Sequence, residues 1–192
     1  MMKKKYLAFT ALAFTALAFT ALAIPASLLL AGCSVGDLSG ETYDKAESKS
    51  AATSDDGVKS GLLADWVPAG GRDVKLEQRT TGAERIFVMD YDGPLPRQEC
   101  LSLSTVGEPN ESELAKAYAA DRRTRDLQVS EVATVRTLDA DWWPKDAEKQ
   151  TTDLCGRWWV HESQGKLYGF APDQQQIADS VLRERSTNDR DS

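Results

Sequence analysis

Three cysteines, one histidine and 30 carboxylates are the side chains of this 192-residue chain best suited to chemistry. His161 is the only imidazole. A Ser-His or Cys-His nucleophile therefore has one candidate base, and a multi-histidine metal centre has none. The residue lies in Trp158-Trp159-Val160-His161-Glu162, one arm of an expected hairpin, where a strand histidine without catalytic duty is expected. Cys100 and Cys155 have no zinc-ligand spacing around them. A disulfide between them is expected, and closing so long a loop is worth about 4 kcal/mol in chain entropy. Asp90-Tyr91-Asp92 and Asp139-Ala140-Asp141 each begin like a calcium loop, but Leu101 and Gln150 stand where the twelfth-position glutamate belongs. Both are expected to be solvated turns. A carboxylate pair of the glycosidase kind is compatible with the residue types, yet no spacing singles one out. Gly36-Asp37-Leu38-Ser39-Gly40 has its serine in the wrong place for a nucleophile elbow. The expectation is a non-enzymatic protein with no catalytic residue, no metal and no cofactor.

Two other groups of residues could bind rather than react. Arg122, Arg123 and Arg125 could hold an anionic headgroup or a wall polymer, although at the end of a predicted helix they are expected to face the negative end of its dipole. The five tryptophans include two adjacent pairs, Trp142-Trp143 and Trp158-Trp159. Strand neighbours point to opposite faces, so one ring of the second pair needs a further cover. Either another segment packs over it, or Trp159 with Trp142 or Trp143 forms an exposed platform for a glycan, peptide or protein partner.

The first 33 residues specify where this happens. Met1-Met2-Lys3-Lys4-Lys5 precedes an uncharged run from Leu7 to Gly32, in which Leu-Ala-Phe-Thr-Ala occurs at 7–11, 12–16 and 17–21. A five-residue repeat advances a helix by about 140°, so Phe9, Phe14 and Phe19 form no stripe. The run is long enough to span a bilayer, which takes about 20 residues, but Pro25 and the small residues before Cys33 argue for cleavage. Leu30-Ala31-Gly32-Cys33 resembles the lipobox of bacterial lipoproteins. That resemblance covers residues 1–33. It implies that a signal peptidase cuts before Cys33 and that Cys33 carries a diacylglycerol, so that acyl chains of the palmitate type hold the protein to a membrane. Loss of residues 1–32 removes three lysines and no acid, taking the net charge from −7 to −10. Such acidity excludes nucleic-acid binding through the overall field and favours solubility at a surface.

The mature chain must position these groups. Residues 33–60 are Ser, Gly, Ala and charge, and are expected to form a lipidated flexible linker with a reach of about 30 Å. A domain is expected over 61–185 and a disordered tail over 186–192. Alternation in 73–80 and a run apolar on both faces in 84–91 predict a hairpin of an edge-like and a more central strand, Cys100–Ser104 a short strand, and 130–138 a β-branched strand. The stretch 156–170 is the clearest hairpin, turning at Ser163-Gln164-Gly165. Asn110 and Glu113 form a capping box before a helix, and Pro172 opens a second, amphipathic one. The fold class is α+β, a largely antiparallel sheet of about six strands with two helices and one inter-strand disulfide.

The aromatic series Trp-Val-Pro (66–68), Asp-Trp-Trp-Pro (141–144), Cys-Gly-Arg-Trp-Trp-Val (155–160) and Leu-Tyr-Gly-Phe (167–170) is similar to small uncharacterised lipoproteins of high-GC Gram-positive bacteria. The resemblance implies the extracytoplasmic face of the cell membrane and brings no known activity with it. The sequence therefore points to a lipid-anchored extracytoplasmic binding domain. A small envelope hydrolase using carboxylates and a purely structural envelope component are the alternatives.

Overall fold

The computed structural model describes residues 42–190, so the readings on Cys33, on the signal segment and on the last two residues lie outside the described part. Seven strands form one sheet in the order β1-β2-β3-β7-β6-β5-β4, with every neighbour antiparallel. They are β1 (Ala46–Thr53), β2 (Arg72–Arg79), β3 (Arg85–Asp90), β4 (Cys100–Ser102), β5 (Asp153–Cys155), β6 (Trp158–Ser163) and β7 (Lys166–Ala171). The helices are α1 (Ser54–Lys59), α2 (Glu111–Ala119) and α3 (Gln175–Asn188). The α+β class and its inter-strand disulfide hold, with seven strands where six were expected and a short third helix.

Both expected hairpins form, β2 with alternating apolar residues and β3, β6 and β7 with continuous buried runs. Val74 and Leu76 of β2 are buried while Asp73 and Lys75 are exposed. Between β6 and β7, Ser163 pairs with Lys166, leaving a two-residue turn of Gln164 (φ 53°) and Gly165 (φ 73°). Two positive φ values make the tight turn whose twist suits a hairpin, and glycine accepts the second without cost. The capping box of α2 also forms. Asn110 accepts from the Glu113 backbone N–H at 3.0 Å, and Glu113 accepts from the Asn110 N–H at 2.9 Å.

Both faces of the sheet are covered, as the adjacent tryptophans require. On one face Ile86, Trp159, Tyr168 and Phe170 pack with Leu114, Ala117 and Tyr118 of α2 and with Leu138, Trp143 and Ala147. On the other, Val74, Leu76, Phe87, Met89, Trp158 and Val160 pack under Leu63 and Val67. Trp158 and Trp159 thus enter opposite cores, and the segment holding Trp142 and Trp143 is the cover of the first. Among the described residues no helix is long and apolar enough to cross a membrane.

Three expectations are corrected. The stretch read as linker folds from residue 43 onward: β1 pairs with β2 from Ala46↔Arg79 to Thr53↔Arg72, and α1 follows. Its residues are mostly exposed, so burial could not announce it; backbone pairing and polar anchors hold it. The backbone N–H groups of Tyr43 and Asp44 donate to Glu184 at 2.8 and 3.0 Å, and Asp44 accepts from Arg185 Nε at 2.6 Å. The expected strand at 130–138 is a 3-10 turn (Val129–Glu131) followed by irregular chain. Side chains satisfy its backbone in place of a neighbouring strand, since the N–H groups of Thr137 and Leu138 donate to the buried Glu84 carboxylate at 2.6 and 2.9 Å. Lastly, α3 runs to Asn188, three residues into the expected tail, and starts at Gln175, three residues after Pro172.

Candidate functional site

The β5–β6 turn is only Gly156 and Arg157, with glycine in the left-handed region at φ 59°. It thrusts Arg157 into a cleft of about 580 Å³ at the end of the sheet where β3 begins and β5 ends. Four segments converge there. The loop after α1 contributes Leu63, Asp65 and Trp66, and β3 begins with Arg85. The chain leaving α2 adds Asp121, Arg122 and Arg123, and the rim before the disulfide adds Gln98 and Glu99. The disulfide pins that rim: Cys100 and Cys155 are paired residues of β4 and β5, with Cα atoms 4.1 Å apart.

Arg157 is 3% exposed and its guanidinium is held in place by two carbonyls, Pro172 O on one nitrogen and Ala83 O at 2.7 Å on the other. Its plane lies 5.8 Å from the Trp158 ring, which contacts Trp66 edge-on at 6.2 Å. Burial, with Arg123 and Arg85 nearby, brings the Arg157 guanidinium down to about 10 against the opposing pull of Asp121. Arg85 is lowered in the same direction, first by burial and then by Arg123. One Arg85 nitrogen donates to Leu62 O at 3.2 Å. The indole N–H of Trp66 is buried without an acceptor among the described residues. Asp121 shapes the basic loop, accepting from the Arg123 backbone N–H at 2.8 Å and the Arg157 backbone N–H at 3.4 Å.

A second, more polar cleft of about 450 Å³ lies on the other side of the disulfide, lined by Arg97, Ser102, Thr152, Asp153 and Glu162 among others. Asp153 and Glu162 share a sheet face, because Asp153 pairs with Val160, two residues before Glu162. Partial burial and then the Asp153 charge push the Glu162 carboxyl above its ordinary value. Ser102 donates to Asp153 at 2.7 Å.

The residues singled out in the sequence fall elsewhere, except the disulfide cysteines, of which Cys155 borders the larger cleft and Cys100 the smaller, and two arginines. Arg122 and Arg123 line the larger cleft, while Arg125 pairs with Asp126 at 3.6 Å; the basic residue in the last turn of α2 is Lys116. The aromatic platform is not present. Trp159 is 6% exposed and donates to the Tyr118 hydroxyl at 3.3 Å, Trp143 is 8% exposed, and Trp142 packs half-buried against Trp143. Two-sided cover of the sheet buries Trp143 and Trp159 and leaves only Trp142 partly exposed. His161 is buried and stacked on Tyr168 at 4.9 Å, borders neither cleft, and is pushed below its ordinary value by burial. Asp90 is bonded to Lys166, and Asp139 to Arg136 at 2.6 Å. No group of three or more His, Cys, Asp and Glu side chains is arranged to hold a metal among the described residues.

Sequence reasoning passed over Trp66, Arg85, Arg157 and Trp158 as cleft residues. No local signal marks them, since they stand in three places between 66 and 158 and only the sheet order unites them. Compared with protein-family models, curated proteins and solved structures, the chain matches none.

Proposed function

We propose that the protein is a lipid-anchored, non-enzymatic binding domain on the extracytoplasmic face of the cell membrane, tethered through Cys33. The lipobox-like Leu30-Ala31-Gly32-Cys33 supports the anchor. The observation that carries the binding role is the larger cleft, which gathers arginine and tryptophan from four segments around a volume of about 580 Å³. A concave site with a few convergent polar groups is the usual form of a ligand pocket. Ten residues of chain, from Cys33 to Tyr43, can span at most about 35 Å, so the fold stays close to the lipid. The anchor is tested by intact mass and membrane partitioning of the protein from its native host beside Cys33→Ala. The expected wild type begins at Cys33 with a diacylglyceryl adduct and partitions with membranes, and the variant lacks the adduct. Retention of residues 1–32 by both proteins would refute the anchor.

One observation favours a second reading, a small envelope hydrolase working with carboxylates. Asp153 and Glu162 share the smaller cleft, and Glu162 is raised toward the protonated form that a general acid needs. That reading requires release of 4-nitrophenol from aryl glycosides, abolished in Glu162→Gln.

A further inference from the structure

The chain carries a net charge of −7, yet Arg85, Arg122, Arg123 and Arg157 line one cleft. Among the described residues none of the four forms an ion pair within 4 Å, as is also true of Arg72, Arg97, Arg183 and Arg190, whereas Arg79, Arg125, Arg136 and Arg185 do. Three carboxylates also line the cleft against its four arginines, leaving one positive charge in excess, and the Asp121 charge acts on Arg157. Asp65 and Glu99 are exposed at its rim, and Asp121 accepts backbone N–H groups of the loop. The basic floor is rigid: Arg157 is buried and its guanidinium is fixed by two carbonyls, so it supplies positive field at a set position. Arg85 and Arg123 approach from two further elements, the start of β3 and the turn after α2. Trp66 forms an aromatic wall and brings a buried indole N–H that lacks an acceptor.

Resting on the reading of the protein as a binding domain, we propose that this cleft binds the phosphate of a phosphate ester, with Arg85, Arg123 and the field of Arg157 around the phosphoryl oxygens and Trp66 against the organic part. Phosphate fits better than carboxylate because the cations come from three directions. A tetrahedral group with three outer oxygens can meet all of them, whereas a planar carboxylate presents two oxygens in one plane. A charge near −2 also matches several cations held together.

The test is isothermal titration of the full-length protein in non-ionic detergent with glycerol 3-phosphate, using glycerol as the uncharged control. Expected are saturable heat with glycerol 3-phosphate alone, weakening with added salt, and a loss of affinity of at least about tenfold in Arg123→Ala, the size of one charge-assisted hydrogen bond. Arg123 is exposed, so this variant should fold; Arg97→Ala, at the smaller cleft, should bind as the wild type does. Phosphatidic acid, a lipid whose phosphate is a monoester, added to the micelles distinguishes the sources. Competition with glycerol 3-phosphate identifies a lipid headgroup as the physiological phosphate, and absence of competition identifies a soluble ester. No saturable heat, or equal affinity in Arg123→Ala and Arg97→Ala, would overturn the assignment. An anchored protein without phosphate binding refutes the cleft alone, and phosphate binding without a Cys33 adduct refutes the anchor alone.

Discussion

Gly169 sits in the middle of β7, between β3 and β6, directly over the Phe87 ring. A Cβ added there would lie 2.2 Å from Phe87 Cε1, 2.8 Å from Cζ and 2.9 Å from Cδ1. Ordinary contact begins near 3.4 Å, so in Gly169→Ala the ring must retreat by about 1.2 Å. Phe87 is fully buried, with Trp158 at 5.3 Å and Trp66 at 6.1 Å between ring centroids, so little room exists for that movement. Overpacking of this kind costs about 1–3 kcal/mol, and this site belongs in the upper half of the range. Alanine recovers about 0.5–1 kcal/mol of strand entropy, which leaves a net destabilisation of about 2 kcal/mol. The partner change Phe87→Leu removes the obstructing atoms at a cost of about 1–2 kcal/mol of its own. Urea unfolding followed by tryptophan fluorescence on wild type, both single variants and the double closes a thermodynamic cycle. The double variant should be more stable than additivity predicts by at least about 1 kcal/mol. A Gly169→Ala loss under about 0.5 kcal/mol, or an additive double, would refute this packing and with it the route by which the core supports Trp66.

Other consequences are as direct. Reduction of Cys100–Cys155, or replacement of both by alanine, should cost about 4 kcal/mol at most, seen as a lower urea midpoint, because the closed loop is long. It should also loosen the rim at Gln98 and Glu99, so hydrogen exchange there should rise before exchange in β3 does. His161 should make stability fall as pH drops. Burial holds its folded pKa below the ordinary 6.5, against a weaker opposing pull from Glu148, so the unfolded chain takes the proton first. The contribution is complete above about pH 6.5 and is lost as pH falls toward the folded value, by no more than about 1.4 kcal/mol per pH unit. His161→Phe keeps the ring over Tyr168 and should flatten melting temperature between about pH 5 and 7; an unchanged slope would assign the titration to another group.

What the chain determined by itself was whatever local chemistry specifies. Alternation in β2 placed Val74 and Leu76 inside, Gln164-Gly165 marked the turn between β6 and β7, and Asn110 with Glu113 marked a helix start. Two cysteines beside predicted strands indicated the disulfide. The adjacent tryptophans of β6 set one ring on each face of the sheet, because the side-chain period of a strand is two, and only the tertiary structure decided that both are covered. Where stability comes from other segments, the linear pattern was silent. Residues 46–53 have no apolar face and become a strand only because β2 offers an unpaired edge and α3 offers Glu184 and Arg185. Residues 132–138 look like a strand and are not one, because the Glu84 carboxylate accepts the N–H groups a neighbouring strand would have taken. The arginine cleft belongs wholly to the tertiary structure. Like charges spread along the sequence carry no mark of meeting, and only the order of strands and the turn at Gly156 bring them to one end of the sheet.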